Sequence, residues 1–253
     1  MSEIRIRLGC WKKPVLMTLS SLVLTFSLDG RAELTGSVTG ATDYLWRGYT
    51  KSNGSLVGQA NIDYQFRSGI YLGSFFSTVN FADHGFKDRS SFELRPYLGY
   101  AHTLSDDWRA NVAWTRYIYD GKIFDRVADY NEFYFFLHFR DLLTANVNFS
   151  ENGYNQNHMS FSTEITGRYP ISDAVEISGG VGFNKQKKIL EYDYVYWNSG
   201  VTVHFSRNIG IDIRYFGSEE AGTASYQSSP AAHWEFHPHH IGHRAVFSIT
   251  FGF

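Results

Sequence analysis

The chain holds one cysteine and five prolines among 253 residues, and nowhere does it string together the eighteen or so apolar residues of a helical membrane span. Each shortage excludes something. A lone Cys10 cannot close an intramolecular disulfide or build a thiolate metal site. Without a long apolar run there is no membrane-spanning helix. Charge of either sign is nearly balanced, with 23 basic and 25 acidic residues, so no basic surface for nucleic acid is indicated. Mean hydropathy is only −0.28. That value resembles a water-soluble protein, but barrel strands hide their apolar residues by alternation. Aromatics are abundant: 17 Tyr and 21 Phe. Aromatic and β-branched side chains fit a pleated surface better than a helix, so strands are expected.

The first 32 residues have the layout of a secretory signal. Arg5, Arg7, Lys12 and Lys13 supply a basic start, and Val15 to Leu28 form an uncharged, mostly apolar stretch too short for a bilayer span. Gly30 and Ala32 put small residues at the positions a signal peptidase reads, which predicts cleavage after Ala32. Leu8-Gly9-Cys10 imitates a lipidation motif, but no apolar run precedes it. Cleavage takes five of the 23 basic and two of the 25 acidic residues, and Cys10 with them, leaving 33–253 with a net charge of about −5.

From Leu34 onward, segments of roughly ten residues alternate apolar with polar. Twelve are predicted: 34–47, 55–66, 70–81, 91–103, 108–119, 130–139, 142–150, 159–169, 174–183, 194–205, 209–216 and 243–253. Strands of soluble sheets average five or six residues, whereas a tilted membrane strand needs about 9–11. Connectors sort by length. Short turns such as Arg67-Ser68-Gly69, Arg140-Asp141 and Ser206-Arg207-Asn208 alternate with longer ones at 48–54, 82–90, 120–129, 151–158, 184–193 and 217–242. A soluble sandwich has no reason to sort its loops; outer-membrane barrels pair short periplasmic turns with long extracellular loops. The last segment has two clean faces, with Ala245, Phe247, Ile249, Phe251 and Phe253 opposite Arg244, Val246, Ser248, Thr250 and Gly252. A closing strand that ends on Phe253 looks like the signal read by the barrel assembly machinery. The expectation is an all-β, closed antiparallel transmembrane barrel of about twelve strands, residues 33–253, in the outer membrane of a Gram-negative bacterium.

Four stretches carry a family resemblance: Thr42-Asp43-Tyr44-Leu45-Trp46-Arg47-Gly48, Ser68-Gly69-Ile70-Tyr71-Leu72-Gly73, Phe92-Glu93-Leu94-Arg95-Pro96-Tyr97-Leu98-Gly99-Tyr100 and Tyr130-Asn131-Glu132-Phe133-Tyr134. In these the chain resembles the TorF-type porin family of proteobacterial outer membranes. The resemblance implies a secreted outer-membrane barrel with a pore role. It does not imply a substrate. Arg95 stands where that family often has a second carboxylate, so no cation preference is carried over.

Alternation assigns an inward face to Asp43, Arg47, Asp63, Glu93, Arg95, Arg109, Glu132, Glu164, Arg168, Glu176, Asp212, Arg214 and Arg244, the expected pore lining, with His138 and His204 beside them. A lipid-facing Arg or Lys costs about 2–4 kcal/mol near the midplane, which constrains that choice. Mixed charge can wet a channel for small polar solutes or ions. The same residues can equally brace a non-conducting structural barrel. A third possibility is a lipid-modifying enzyme, which needs a Ser or Thr nucleophile beside a His base. His102 shares the lipid-facing parity of Leu98 and Tyr100, but no paired nucleophile is evident and no catalytic residue or cofactor is expected. His233, Glu235, His237, His239, His240 and His243 crowd the last loop; Pro238 argues against a helix that would align them on a metal, so none is assigned. Rings of Tyr44, Trp46 and Tyr119 are expected at the outer interface, those of Trp108, Tyr169, Phe205 and Phe253 at the periplasmic one. Arg116, with outward parity, is expected at the outer rim near lipid phosphates. Membrane lipid, lipopolysaccharide and the assembly machinery are the expected partners.

Overall fold

Residues 33–190, 192–221 and 242–253 are described by the computed structural model. The signal segment, with Cys10, and the histidines from His233 to His240 lie outside them. Alternating segments become β1 (Glu33–Ala41), β4 (Val57–Gln65), β5 (Ile70–Thr78), β6 (Phe92–Thr103), β7 (Trp108–Tyr119), β8 (Tyr130–Phe139), β9 (Leu143–Ser150), β10 (Ser160–Pro170), β11 (Val175–Lys185), β12 (Tyr194–His204), β13 (Ile209–Glu220) and β14 (His243–Gly252). Two further strands, β2 (Leu45–Trp46) and β3 (Tyr49–Thr50), pair only with each other. Short helical turns at Gly153–Asn155 and α1 (Lys187–Leu190) sit in long loops.

The twelve long strands pair antiparallel with their chain neighbours, and β14 closes on β1 through Ser37↔Gly252 to Ala41↔Ser248. Closure leaves no edge, which is what a strand structure needs where water is absent. A ten-residue strand reaches about 33 Å, and tilted by about 40° it rises roughly 25 Å, the height of an outer-membrane apolar band. Phe253 seals the seam: its N–H donates to the Gly36 carbonyl and its own carbonyl accepts from the Gly36 N–H, both at 2.9 Å. One ladder is interrupted. Along β6–β7 the register steps from Leu94↔Ile118 to Tyr97↔Thr115, because Pro96 has no N–H to offer β7.

Burial is inverted relative to a soluble protein. Val38, Phe133, Ile165, Ile213 and Phe251 are each more than half exposed on the outer wall. Asp63, Glu93, Glu132, Glu164 and Arg214 are buried inside. A continuous apolar exterior of this extent is what a hydrocarbon surround stabilises. At the short-turn end Trp108, Tyr169, Phe205 and Phe253 are exposed, as expected of a rim. Turns there are braced on the surface: Arg140 holds Asp107 through Nε (2.7 Å) and Nη2 (3.1 Å), which keeps that carboxyl below its ordinary range.

The first segment departs from expectation. Alternation ran to Arg47, but β1 stops at Ala41, whose register partner is Val57. Tyr44 and Trp46 are therefore not rim residues; both are buried inside the barrel. Tyr119 is also turned inward, because it shares parity with Arg109 on β7 and its hydroxyl reaches Glu93. Arg116 does face outward at the long-loop end of β7, where it lies 3.7 Å from Asp129.

Candidate functional site: a hairpin across the lumen

Residues 42–56 leave the wall and fold into the barrel. Thr42 makes the last backbone contact with β14, donating its N–H to Phe247 O (3.0 Å) and accepting the Phe247 N–H at its hydroxyl (3.1 Å). Asp43 then ties the base of the hairpin. Its carboxylate accepts from Thr50 Oγ1 and Ser52 Oγ, both 2.6 Å, from the Gly54 N–H at 3.2 Å and from Arg244 at 2.5 Å. A carboxylate that accepts so many donors fixes a turn far more firmly than one surface ion pair. At the tip, Arg47 (φ +46°) and Gly48 (φ +85°) link β2 to β3 with two positive φ angles, as tight hairpins favour. Gly48 is required there twice over. Its backbone is left-handed, and an added Cβ would meet Tyr196 Cβ on β12 at 2.6 Å. Ser218 Oγ donates to the Gly48 carbonyl at 2.9 Å, so the tip also leans on the neighbouring β12–β13 wall.

Charge is knitted around it. Arg47 forks onto Glu132, Nη1 to Oε1 at 2.7 Å and Nη2 to Oε2 at 2.9 Å. Glu132 also accepts from the hydroxyls of Tyr117 (3.1 Å) and Tyr134 (2.5 Å). Lys51, fully buried, pairs with Glu93, which further accepts from Tyr44 (2.9 Å) and Tyr119 (2.7 Å). Its ammonium sits 5.0–5.7 Å from the rings of Tyr117, Trp46, Tyr44 and Tyr119. Arg95 lies alongside, Nε 3.2 Å from Glu93 Oε1.

The expected lining residues thus divide. Asp43 with Arg244, Arg47 with Glu132, and Glu93 with Arg95 gather at the hairpin, although Asp43 and Arg47 come from the insert and not from the wall. Below it Asp212 and Arg214 pair at 3.0 Å, and Arg214 also donates to Asn198 and Ser178, each 2.7 Å away. Asp63 is held by Tyr97 and Asn61, and Glu164 accepts from Tyr196 at 3.3 Å. At the short-turn end Arg109 pairs with Asp141, Arg168 donates to the Asp141 carbonyl, and Glu176 is half-buried. His138 bonds Thr144 at 2.9 Å. Lys51 was missed by the sequence reading. Its segment has the turn residues of any loop, and only the spacing of Asp43, Thr50, Ser52 and Gly54 could have hinted that the loop folds on itself. His102 is outward, stacked on Tyr100. His243, the one described histidine of the last loop, stacks on Tyr215, 2.8 Å from its hydroxyl.

A family model for bacterial proteins of unknown function, Gcw_chp, matches residues 27–240. The chain belongs to the Gcw_chp family. No curated protein matches it. Among solved structures this Gcw_chp chain is similar to a KdgM porin, with a TM-score of 0.54 at 8% identity over 87% of this chain and 99% of the other. It is also similar to a KdgM porin in complex with disordered oligogalacturonate, TM-score 0.51 at 8% identity, again 87% and 99% of the two chains. At that identity the likeness is one of fold: a closed twelve-strand barrel resembling outer-membrane porins.

Proposed function

We propose that this Gcw_chp protein is an outer-membrane channel for small polar solutes or ions, with the hairpin of residues 42–56 as its constriction. The observation that carries the reading is the inverted polarity: an apolar wall of membrane height around a lumen lined by both signs of charge. A structural brace alone has no need of so many ionised groups, each of which costs several kcal/mol to bury. The barrel's likeness to porins and the TorF-type resemblance support the same reading. In it, the long loops face the exterior, the short turns face the periplasm, and the chain is exported with residues 1–32 removed. Lipopolysaccharide surrounds the outer rim, and the strand ending at Phe253 engages the assembly machinery.

A sealed structural barrel is the second reading. It is favoured by the burial of Arg47, Lys51, Glu93 and Glu132 in mutual contact. Planar-bilayer recording separates the two when the full-length barrel is compared with one whose residues 43–55 are replaced by a short Gly-Asn turn. Discrete conductance steps in the intact protein, enlarged in the shortened one, are the expected result. Silence in both refutes transport.

A further inference from the structure

The cations around the hairpin outnumber the carboxylates that serve them. Glu132 is engaged by Arg47 and two tyrosines, and Glu93 by Lys51 and two more. Asp43 is engaged by Arg244, so Arg95 is the fourth cation beside three carboxylates and shares Glu93 with Lys51. Its Nε, although 3.2 Å from Glu93, has no hydrogen-bond partner, and no hydrogen bond joins its terminal nitrogens to any described residue. The next carboxylate on this level, Glu164, belongs to β10 and bonds Tyr196.

What Arg95 does have is aromatic faces. The guanidinium carbon lies 3.9 Å from the Phe75 ring centre and 4.7 Å from that of Trp46, with Tyr117 at 5.4 Å. These rings pack close around the guanidinium carbon and hold the group in place, while its N–H donors stay without a hydrogen-bond partner among the described residues. Those donors form the parallel fork that matches a carboxylate. The side chain is 9% exposed, and the guanidinium stays ionised at any ordinary pH. A low-dielectric surround strengthens its attraction for an anion. Towards the short-turn end, inward residues such as Asn61, Arg168, Glu176 and Ser178 are half-buried where those of the hairpin level are buried.

We propose that Arg95, packed against Phe75 and Trp46, is a binding site for the carboxylate of a small organic anion in the lumen. The proposal rests on solutes reaching the lumen, as in the channel reading above. It makes Arg95 a specificity residue that holds anions at the constriction.

The test uses the full chain purified in detergent, with sodium benzoate as probe and benzyl alcohol as its neutral counterpart, read by saturation-transfer NMR. Benzoate is expected to bind saturably and benzyl alcohol only weakly. Arg95→Gln should weaken benzoate by on the order of 10- to 100-fold, the weight of one charged hydrogen-bonded pair. Phe75→Leu, which keeps the charge and removes a packed ring, should weaken it roughly threefold to tenfold. Heat-modifiable migration on gels verifies that each variant is folded. Equal binding of the two probes, or benzoate affinity unchanged in folded Arg95→Gln, overturns the proposal. Should Arg95→Gln not fold, unchanged affinity in both Phe75→Leu and Arg95→Lys does so. Binding is read without a membrane, so the two readings fail separately. Arg95-dependent binding with a silent bilayer sinks transport alone, and conductance without such binding sinks this site alone.

Discussion

Replacing Glu132 by Gln isolates what holds the hairpin in the lumen. The side chains of Arg47 and Glu132 are only 5% and 2% exposed, and two hydrogen bonds of 2.7 and 2.9 Å join them. Removing one member of such a pair strands the other charge, at a cost of about 3–5 kcal/mol. The lower end applies, since the Gln oxygen still accepts one guanidinium N–H. The twelve-strand ladder does not pass through Arg47, so the penalty falls on docking of the hairpin and leaves barrel closure intact. About 3 kcal/mol is a factor on the order of 10² in the undocked population. Trypsin reads that population at Lys51, buried when docked, because cleavage of a transiently opened segment follows its equilibrium occupancy. Mass spectrometry of the digest, with cleavage after the exposed Lys87 as internal reference, gives the ratio. Cleavage after Lys51 should rise on the order of 10²-fold in Glu132→Gln and fall back towards wild type in Arg47→Gln/Glu132→Gln, where no charge is stranded. A rise under about threefold, or a double variant worse than the single, would refute the reasoning; Asp43, Ser218 and the contacts of Lys51 and Tyr44 with Glu93 would then be holding the hairpin.

Three further outcomes are expected. Gly99→Ala would bring a methyl within 2.2 Å of the Tyr71 ring, whose hydroxyl donates to Asn111 at 2.6 Å. An overpacked wall should cost about 1–3 kcal/mol and lower the temperature at which folded migration on a gel is lost; no change would mean that Tyr71 swings away freely. By contrast, Asp129→Asn removes an outward pair at 3.7 Å with Arg116, 35% and 25% exposed. Urea unfolding in micelles should shift by less than about 1 kcal/mol, and a loss rivalling that of Glu132→Gln would contradict the ranking by burial. Finally, Edman sequencing of the protein from outer membranes should begin Glu33-Leu34-Thr35; a start before Ala32 would displace the proposed cleavage site.

Most of the wall was legible because period-two alternation and turn chemistry act locally. Arg140-Asp141 and Ser206-Arg207-Asn208 announce turns by themselves, and inward parity follows from the pleat. The hairpin was not legible, for the same reason. Thr42-Asp43-Tyr44-Leu45-Trp46-Arg47 keeps the alternation of β1, and alternation states only that two faces differ. It does not state whether a strand stands in the wall or within it. The decisive partners are distant: Arg244 lies 201 residues from Asp43, and Glu132 lies 85 from Arg47. Tyr119 shows a different failure. Its place at a strand end suggested a rim ring, whereas the parity already used for Arg109 would have turned it inward. Arg95 was assigned to the lumen, but that it must share Glu93 with Lys51 emerges only when the other cations have claimed their carboxylates.

Because Ala41 and Val57 are direct neighbours in the β1–β4 ladder, everything between them is dispensable to the wall. The barrel would close over a connection of a few residues. The hairpin is in that sense an interchangeable part. Changes confined to residues 42–56 can redraw the shape and charge of the lumen while the strand ladder of the wall keeps its register. In the proposed channel, one scaffold can therefore diversify what it admits without having to relearn how to fold.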